Sequence, residues 1–274
     1  MRLTLRDEKI LAELSLNTYS LNQIASTFFT SRKKASERMK KLYDAGLVKR
    51  IPHPFASSTG KAEFVYSTKP IKDVYAVPHS LMITDVKLSF LLSFPPCFKS
   101  EFYYPKQLNL KAVDLCGVIP DGISIIENVE SGKRIVHFVE ADCGTEMLKS
   151  KRGVYSLEHK LEKYIMLFDD EEALRRVGDV LGCELRGFRV LLVGRGEKRL
   201  DGVKRVSEKL GAEFVWCALH EDIKKEGVYS SVWSNYRYAE LSLLRPYPGS
   251  VEGGDLDGEK EGDLVGDVIP VLNT

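Results

Sequence analysis

Apolar residues in the first part of the chain recur at helical spacing. Leu5, Ile10, Leu11 and Leu14 mark a predicted first helix over residues 4–16. Ser20 is a suitable N-cap for a short second helix over residues 21–29, because its hydroxyl can accept from a free backbone N–H. A third helix is predicted over about residues 32–44, and Gly46 follows where glycine favours a helix end.

Two short strands are predicted after these helices, at residues 47–51 and 62–67, with a loop rich in Pro, Ser and Gly between them. Three helices followed by a hairpin are typical of a winged helix-turn-helix. We therefore predict a winged helix-turn-helix that binds DNA at residues 1–70, with the hairpin as its wing.

The third helix carries the predicted DNA contacts. Ala35, Met39, Leu42 and Tyr43 form one apolar stripe at 100° per residue, and lysines occupy the opposite side. A lysine-rich outer face suits the major groove, which has phosphates on both sides. The predicted DNA-binding residues are Ser31, Arg32, Lys33, Ser36, Lys40 and Lys41 on the helix, with Lys49, Arg50 and Lys61 on the wing. The alternatives are a merely solvated basic face or a winged helix that binds protein.

Charge supports this division of the chain. The whole sequence of 274 residues has a formal net charge of +1, but residues 1–70 carry 13 Lys and Arg against 6 Asp and Glu. A basic module thus precedes an acidic remainder, and basic modules favour polyanions. The sequence contains no long apolar run and no leader-like start, so we expect a cytoplasmic protein without a membrane segment. Its five scattered cysteines indicate reduced thiols.

The rest of the chain alternates helical and strand patterns. Helices are predicted at about residues 79–94, 154–169 and 201–210, and strands at 118–126, 135–142, 188–193 and 214–219. This order predicts an α/β (α+β) domain with a central mixed sheet over residues 71–248. The acidic, glycine-rich residues 249–274 predict a disordered tail.

Three carboxylates are expected to converge at one end of a hairpin in this domain. A turn at Ser131 and Gly132 pairs residues whose numbers add to about 261, which places Asp121 opposite Glu140. Asp142 then points to the same face as Glu140. Converging carboxylates favour a bound cation, and oxygen ligands suit Mg²⁺ or Mn²⁺. Asp121, Glu140 and Asp142 are therefore the predicted metal ligands and catalytic residues.

A lysine on the following helix completes the predicted catalytic set. Lys160 lies at the boundary of that helix's apolar stripe, where its side chain can reach the carboxylates. The alternative is structural: Asp121 caps a turn, and Lys160 forms an ordinary salt bridge with Glu140.

The carboxylate pattern resembles the PD-(D/E)XK nuclease superfamily, through Pro120-Asp121 and Glu140-Ala141-Asp142 and through the order of helices and strands around them. The resemblance implies Mg²⁺-dependent cleavage of DNA. The sequence departs from the superfamily at Asp142, which stands where lysine is usual.

A resemblance to the replication-relaxation family of plasmids and mobile elements covers roughly residues 5–220. It is carried by the basic winged helix, by a helix beginning near His79 with Leu81 and Asp85-Val86, by Pro120-Asp121, by Glu140-Ala141-Asp142-x-Gly144-Thr145-Glu146, and by Lys160 and Tyr164. It implies a role in plasmid replication and DNA relaxation. We expect double-stranded DNA as partner, with a homodimer and replication or mobilisation proteins as further partners. The competing hypothesis is a non-catalytic DNA-binding regulator of replication or transcription.

Overall fold

A computed structural model describes residues 2–53, 63–108, 115–144, 147–148 and 156–244. Residues Met1–Leu244 form one compact unit of mixed α/β structure. The predicted wing contact Lys61, most of the wing loop and the predicted disordered tail lie outside the described residues. Among the helices that are described, none is long and apolar enough to cross a membrane.

The first part of the unit contains three helices and a small antiparallel sheet. Its elements are α1 (Leu5–Leu16), β1 (Tyr19–Ser20), α2 (Leu21–Phe28), α3 (Arg32–Asp44), β2 (Lys49–Pro52) and β3 (Phe64–Ser67). The strand order in the sheet is β1-β3-β2. The three predicted helices and the two strands of the predicted hairpin are therefore present. Strand β1 was not predicted, because two residues are too few to show a strand pattern.

Side-chain caps fix where these helices begin. Ser20 accepts from the backbone N–H of Gln23, and the Gln23 side chain in turn accepts from the backbone N–H of Ser20. Thr4 and Asp7 form the same reciprocal box at the start of α1. After α3, Gly46 has a φ of +74°, a left-handed conformation that glycine adopts without a steric penalty. The predicted roles of Ser20 and Gly46 are confirmed.

The core of this part contains the predicted apolar stripe of α3, with one correction. Ala35, Met39 and Leu42 are fully buried, whereas Tyr43 is 39% exposed. The Arg50 guanidinium lies 4.2 Å from the Tyr43 ring centroid. The Tyr43 ring therefore makes a cation–π contact with Arg50 near the surface. The angular positions of residues along α3 do not predict this contact, because Arg50 lies outside the helix.

The second part of the unit contains a five-stranded mixed sheet. Its elements are α4 (Val77–Leu92), β4 (Phe98–Tyr103), a 3₁₀ turn (Pro105–Gln107), β5 (Gly122–Asn128), β6 (Arg134–Asp142), α5 (Leu157–Asp169), α6 (Glu171–Leu181), β7 (Arg189–Gly194), α7 (Glu197–Leu210), β8 (Val215–Leu219) and α8 (His220–Glu226). The order is β4-β5-β6-β7-β8; β4, β5 and β6 are antiparallel neighbours, and β6, β7 and β8 are parallel neighbours. The predicted mixed sheet is confirmed.

One strand, two helices and the 3₁₀ turn of this part were not predicted. Strand β4 lies at the edge of the sheet and includes Lys99 and Glu101, so its composition resembles a loop. Helices α6 and α8 were also missed; both are short and rich in charged residues. Strand β5 begins at Gly122, four residues later than expected, because Pro120 and Asp121 precede the paired segment.

Helices cover both faces of the sheet. On one face, Tyr164 of α5 stacks on Phe138 of β6. On the other face, Phe90 of α4 lies 6.2 Å from the ring of His137. Since residues of a strand alternate between faces, Glu140 and Asp142 share the α5 side with Phe138.

Helix α4 also joins the two parts of the unit. Asn17 Nδ2 donates to Ser80 O at 3.0 Å, and Gln23 Nε2 donates to Leu81 O at 2.9 Å. Gln23 Nε2 also lies 2.6 Å from Asp85 Oδ1. Asn17 thus connects the end of α1 to α4, and Gln23 holds α2 against α4.

Candidate active site

The β5–β6 hairpin places Asp121 beside the end of β6, as its predicted register requires. Gly122 pairs with Val139, and Asp121 N donates to Val139 O at 3.0 Å. Asp121 Oδ2 then accepts from the backbone N–H of Ala141 at 2.9 Å. The predicted pairing, with residue numbers that add to 261, is confirmed.

Glu140 is buried and holds two hydrogen bonds from helix α5. Its Oε2 lies 2.5 Å from Lys160 Nζ, and its Oε1 accepts from the Tyr164 hydroxyl at 2.5 Å. Burial raises the pKa of Glu140 to about 8, although Lys160 and Tyr164 both favour the charged carboxylate. The prediction that Lys160 reaches a carboxylate from the edge of the apolar stripe is confirmed. Tyr164, which with Lys160 belongs to the pattern that carries the family resemblance, also lies at this carboxylate, but its hydrogen bond to Glu140 was not predicted.

Asp121 is fixed by a histidine from the opposite layer. His79 Nε2 on α4 lies 2.9 Å from Asp121 Oδ2. Burial alone would raise the pKa of Asp121, but the hydrogen bond and charge of His79, with the charge of Lys160, hold it below its ordinary value. The negative charge of Asp121 in turn contributes to the raised pKa of Glu140. Asp121, Glu140 and Lys160 therefore form one electrostatic cluster.

His79 was interpreted in the sequence as a helix-start residue. A lone histidine in a first helical turn is a weak signal. The hydrogen bond to a residue 42 positions away emerges only from packing.

Asp142 occupies a different environment from the other two carboxylates. Arg199 of α7 donates to it from Nε at 2.6 Å and from Nη2 at 3.3 Å. The backbone N–H of Gly144 adds a contact of 2.7 Å. The Asp142 side chain is 7% exposed. It lies on the strand face shared with Glu140, but its oxygens serve an ion pair.

The fit to a divalent cation rests on Asp121 and Glu140. Mg²⁺ is commonly bound through one or two carboxylates together with water and substrate phosphate. Asp121 and Glu140 supply two carboxylates, but both Glu140 oxygens are hydrogen-bonded to Lys160 and Tyr164, so an ion would have to displace one of these contacts. Within the described ranges, no group of three or more His, Cys, Asp or Glu side chains is arranged to hold a metal ion. A third protein ligand from those ranges is therefore not indicated.

The predicted DNA-binding residues lie mostly at the surface. Ser31 caps α3 by accepting from Lys34 N, and Arg32 Nε donates to Asn22 Oδ1 at 2.7 Å. Arg50 is half-buried. The exposed residues of the set are Ser31, Arg32, Lys33, Ser36, Lys40, Lys41 and Lys49.

Asp85 connects three helices through polar contacts. Asp85 Oδ1 on α4 accepts a hydrogen bond from Gln23 Nε2, and Asp85 Oδ2 lies 2.9 Å from His220 Nε2. It therefore links α2, α4 and α8. No local sequence pattern predicts these contacts, since the three residues lie far apart along the chain.

Comparisons of the chain with protein-family models, with curated proteins and with solved structures found no match.

Proposed function

We propose that this protein binds double-stranded DNA through a winged helix and cleaves a DNA strand with a PD-(D/E)XK nuclease-like domain that uses Mg²⁺ or Mn²⁺. The observation that carries the proposal is the cluster of Asp121, Glu140 and Lys160 at the end of the β5–β6 hairpin. The resemblance to replication-relaxation proteins favours a role in the replication of a plasmid or mobile element.

The DNA-binding part of the proposal is supported by element order and charge. Helices α1, α2 and α3 are followed by β2 and β3, and β1 completes a three-stranded sheet, as expected for a winged helix. Helix α3 buries its apolar side and exposes Lys33, Lys40 and Lys41. A rigid helix with an exposed basic face matches the charge and width of a major groove.

The nuclease part is supported by what surrounds the carboxylates. The predicted elements α4, β5, β6, α5, β7, α7 and β8 follow one another in the expected order, with β4, α6 and α8 as additions. Asp121 and Glu140 would hold the ion, which supplies charge stabilisation at a phosphate and an activated water when bound. Lys160 is close enough to contribute a positive charge to the phosphate. His79 and Tyr164 keep the two carboxylates in position.

The test is nicking of supercoiled plasmid in Mg²⁺ or Mn²⁺. We expect relaxed circles with the unaltered protein and at least about a hundredfold less product with Asp121→Asn or Lys160→Met, because each removes an electrostatic contribution to the transition state. Asp179→Asn is the matched control, since that side chain is 67% exposed on α6 and lies outside the site. Equal nicking by Asp121→Asn and Asp179→Asn would refute the assignment.

DNA binding is tested separately by salt titration. Replacing Lys33 and Lys41 together by Ala should weaken duplex binding and lower the slope of log K against log salt by about 1 for each lost phosphate contact. Lys133→Ala is the control, because Lys133 is exposed in the β5–β6 turn. An unchanged slope in the double variant would place the DNA elsewhere.

A second candidate is a DNA-binding regulator without catalytic activity. It is favoured by the oxygens of Asp142 bonded to Arg199 and by the lysine and tyrosine that occupy both oxygens of Glu140. Such bonds also stabilise a purely structural carboxylate. Tight binding of duplex DNA without nicking under either metal ion would select this candidate.

A further inference from the structure

A cavity of about 630 Å³ opens beside the Asp121 carboxylate, on the side of the sheet covered by α4. Asp121 and His79 line it, together with the polar residues Asn17, Ser80, Tyr104 and Lys106. Apolar residues make up the remainder of the lining. The apolar lining residues are Leu16, Ile83, Pro105, Ile119 and Pro120.

The lining combines charged and apolar residues. It includes Asp121, which we assign to phosphate cleavage, and the exposed cation Lys106. Other lining residues present hydrocarbon surface, and Ile119 is 53% exposed. A flat ring suits the apolar part of the lining, and a phosphate attached to it suits the positive charge of Lys106. The volume lies within the range of pockets that enclose small ligands.

We propose that this cavity accepts one unpaired base of the DNA strand whose backbone lies at Asp121. The site then acts where a strand is already single or leaves a duplex, and a continuous duplex is a poor substrate for it. This inference rests on the proposed nuclease function and names the class of DNA that the site selects.

The physical reason is that an unpaired base can enter the cavity more easily than a base in a duplex. In a duplex the bases are stacked and paired inside the helix, so none can enter a side cavity without leaving the stack. The cost of leaving is smallest for a base that is already unpaired. Contact with apolar walls compensates an unpaired base for lost stacking and requires no particular base, since every base has an apolar face.

The test uses oligonucleotides with 2-aminopurine, whose emission rises when the base unstacks, in EDTA so that cleavage plays no part. One DNA carries the probe at the first unpaired position of a duplex–single-strand junction, and the other carries it within a continuous duplex. We expect binding to the junction to be about fivefold or more tighter than to the duplex. Emission should change only for the junction probe.

Ile119→Glu places a charge against the cavity, and Val129→Glu is its matched control. Val129 is 48% exposed beside the β5–β6 turn and does not line the cavity. We expect Ile119→Glu to abolish the preference for the junction and Val129→Glu to preserve it. Because both substitutions add one negative charge, the ratio of the two affinities is the readout. Ile119→Gln repeats the test without a charge, and unfolding by circular dichroism checks that each variant is folded.

Equal affinity of the unaltered protein for junction and duplex would overturn the inference, as would an unchanged ratio in Ile119→Glu and Ile119→Gln. These outcomes are distinguishable from failure of the proposed nuclease. Nicking that depends on Asp121 can persist without a junction preference, and the preference can persist in EDTA for a protein that does not nick.

Discussion

The ion pair between Asp7 and Arg38 should make a large contribution to the stability of the DNA-binding part. Asp7 Oδ1 accepts from Arg38 Nε at 2.7 Å, a second Arg38 nitrogen contacts Oδ2, and Thr4 donates to Oδ2 from its backbone and its hydroxyl at 2.7 Å. The Asp7 side chain is 1% exposed. The pair ties the start of α1 to the middle of α3, the helix that we assign to the major groove.

The pKa of Asp7 gives the magnitude. The hydrogen bond from Arg38, aided by Thr4, lowers it from 3.8 to about 2 in spite of burial. At 1.36 kcal/mol per pKa unit, this difference corresponds to about 2 kcal/mol of stability at neutral pH. Because the folded pKa lies below the unfolded value, the contribution is present above about pH 3.8 and is lost as the pH falls toward 2.

The assay is urea unfolding of Asp7→Asn followed by far-UV circular dichroism, beside Glu8→Gln as an exposed control in the same helical turn. We expect Asp7→Asn to lose about 2 kcal/mol at pH 7 and Glu8→Gln to lose less than about 0.5 kcal/mol. In a double-mutant cycle, Arg38→Ala should cost little in the Asp7→Asn background. Equal stability of the unaltered protein and Asp7→Asn at pH 7 would refute the reasoning. So would a loss of stability from Arg38→Ala that is as large in the Asp7→Asn background as in the unaltered protein.

Three further predictions concern the sheet. Gly122→Ala should destabilise the fold by about 1–3 kcal/mol in urea unfolding, because its Cβ would lie 2.3 Å from a ring atom of Phe102; an unchanged midpoint would contradict this. Arg199→Ala should lower the free energy of unfolding by about 3 kcal/mol, since it leaves the buried Asp142 carboxylate without its ion-pair partner. Arg199→Lys should recover part of this loss. Burial lowers the pKa of His137 well below 6.5, so stability should fall as the pH drops below about 6.5, by up to 1.36 kcal/mol per pH unit; His137→Phe should reduce this slope in unfolding measured between pH 7 and 5.

Patterns confined to short stretches of sequence determined much of the first part of the chain. Three helices, their caps and the buried side of α3 followed from periodicity and from serine and glycine at helix ends, because those signals act between neighbouring residues. The position of Asp121 opposite Glu140 also followed, since one turn fixes the register of a whole hairpin. The approach of Lys160 to Glu140 was also predicted, from the angular position of Lys160 at the edge of the apolar stripe of α5.

Tertiary structure alone decided which partners complete the candidate site. His79 meets Asp121 across 42 positions, and Arg199 meets Asp142 across 57, so no local pattern contains either pair. Strand β4 forms because β5 offers it an edge, although its own residues are half polar. The sequence thus determined which residues are chemically able to act, and packing determined which carboxylates share Lys160 and which one is occupied by an arginine.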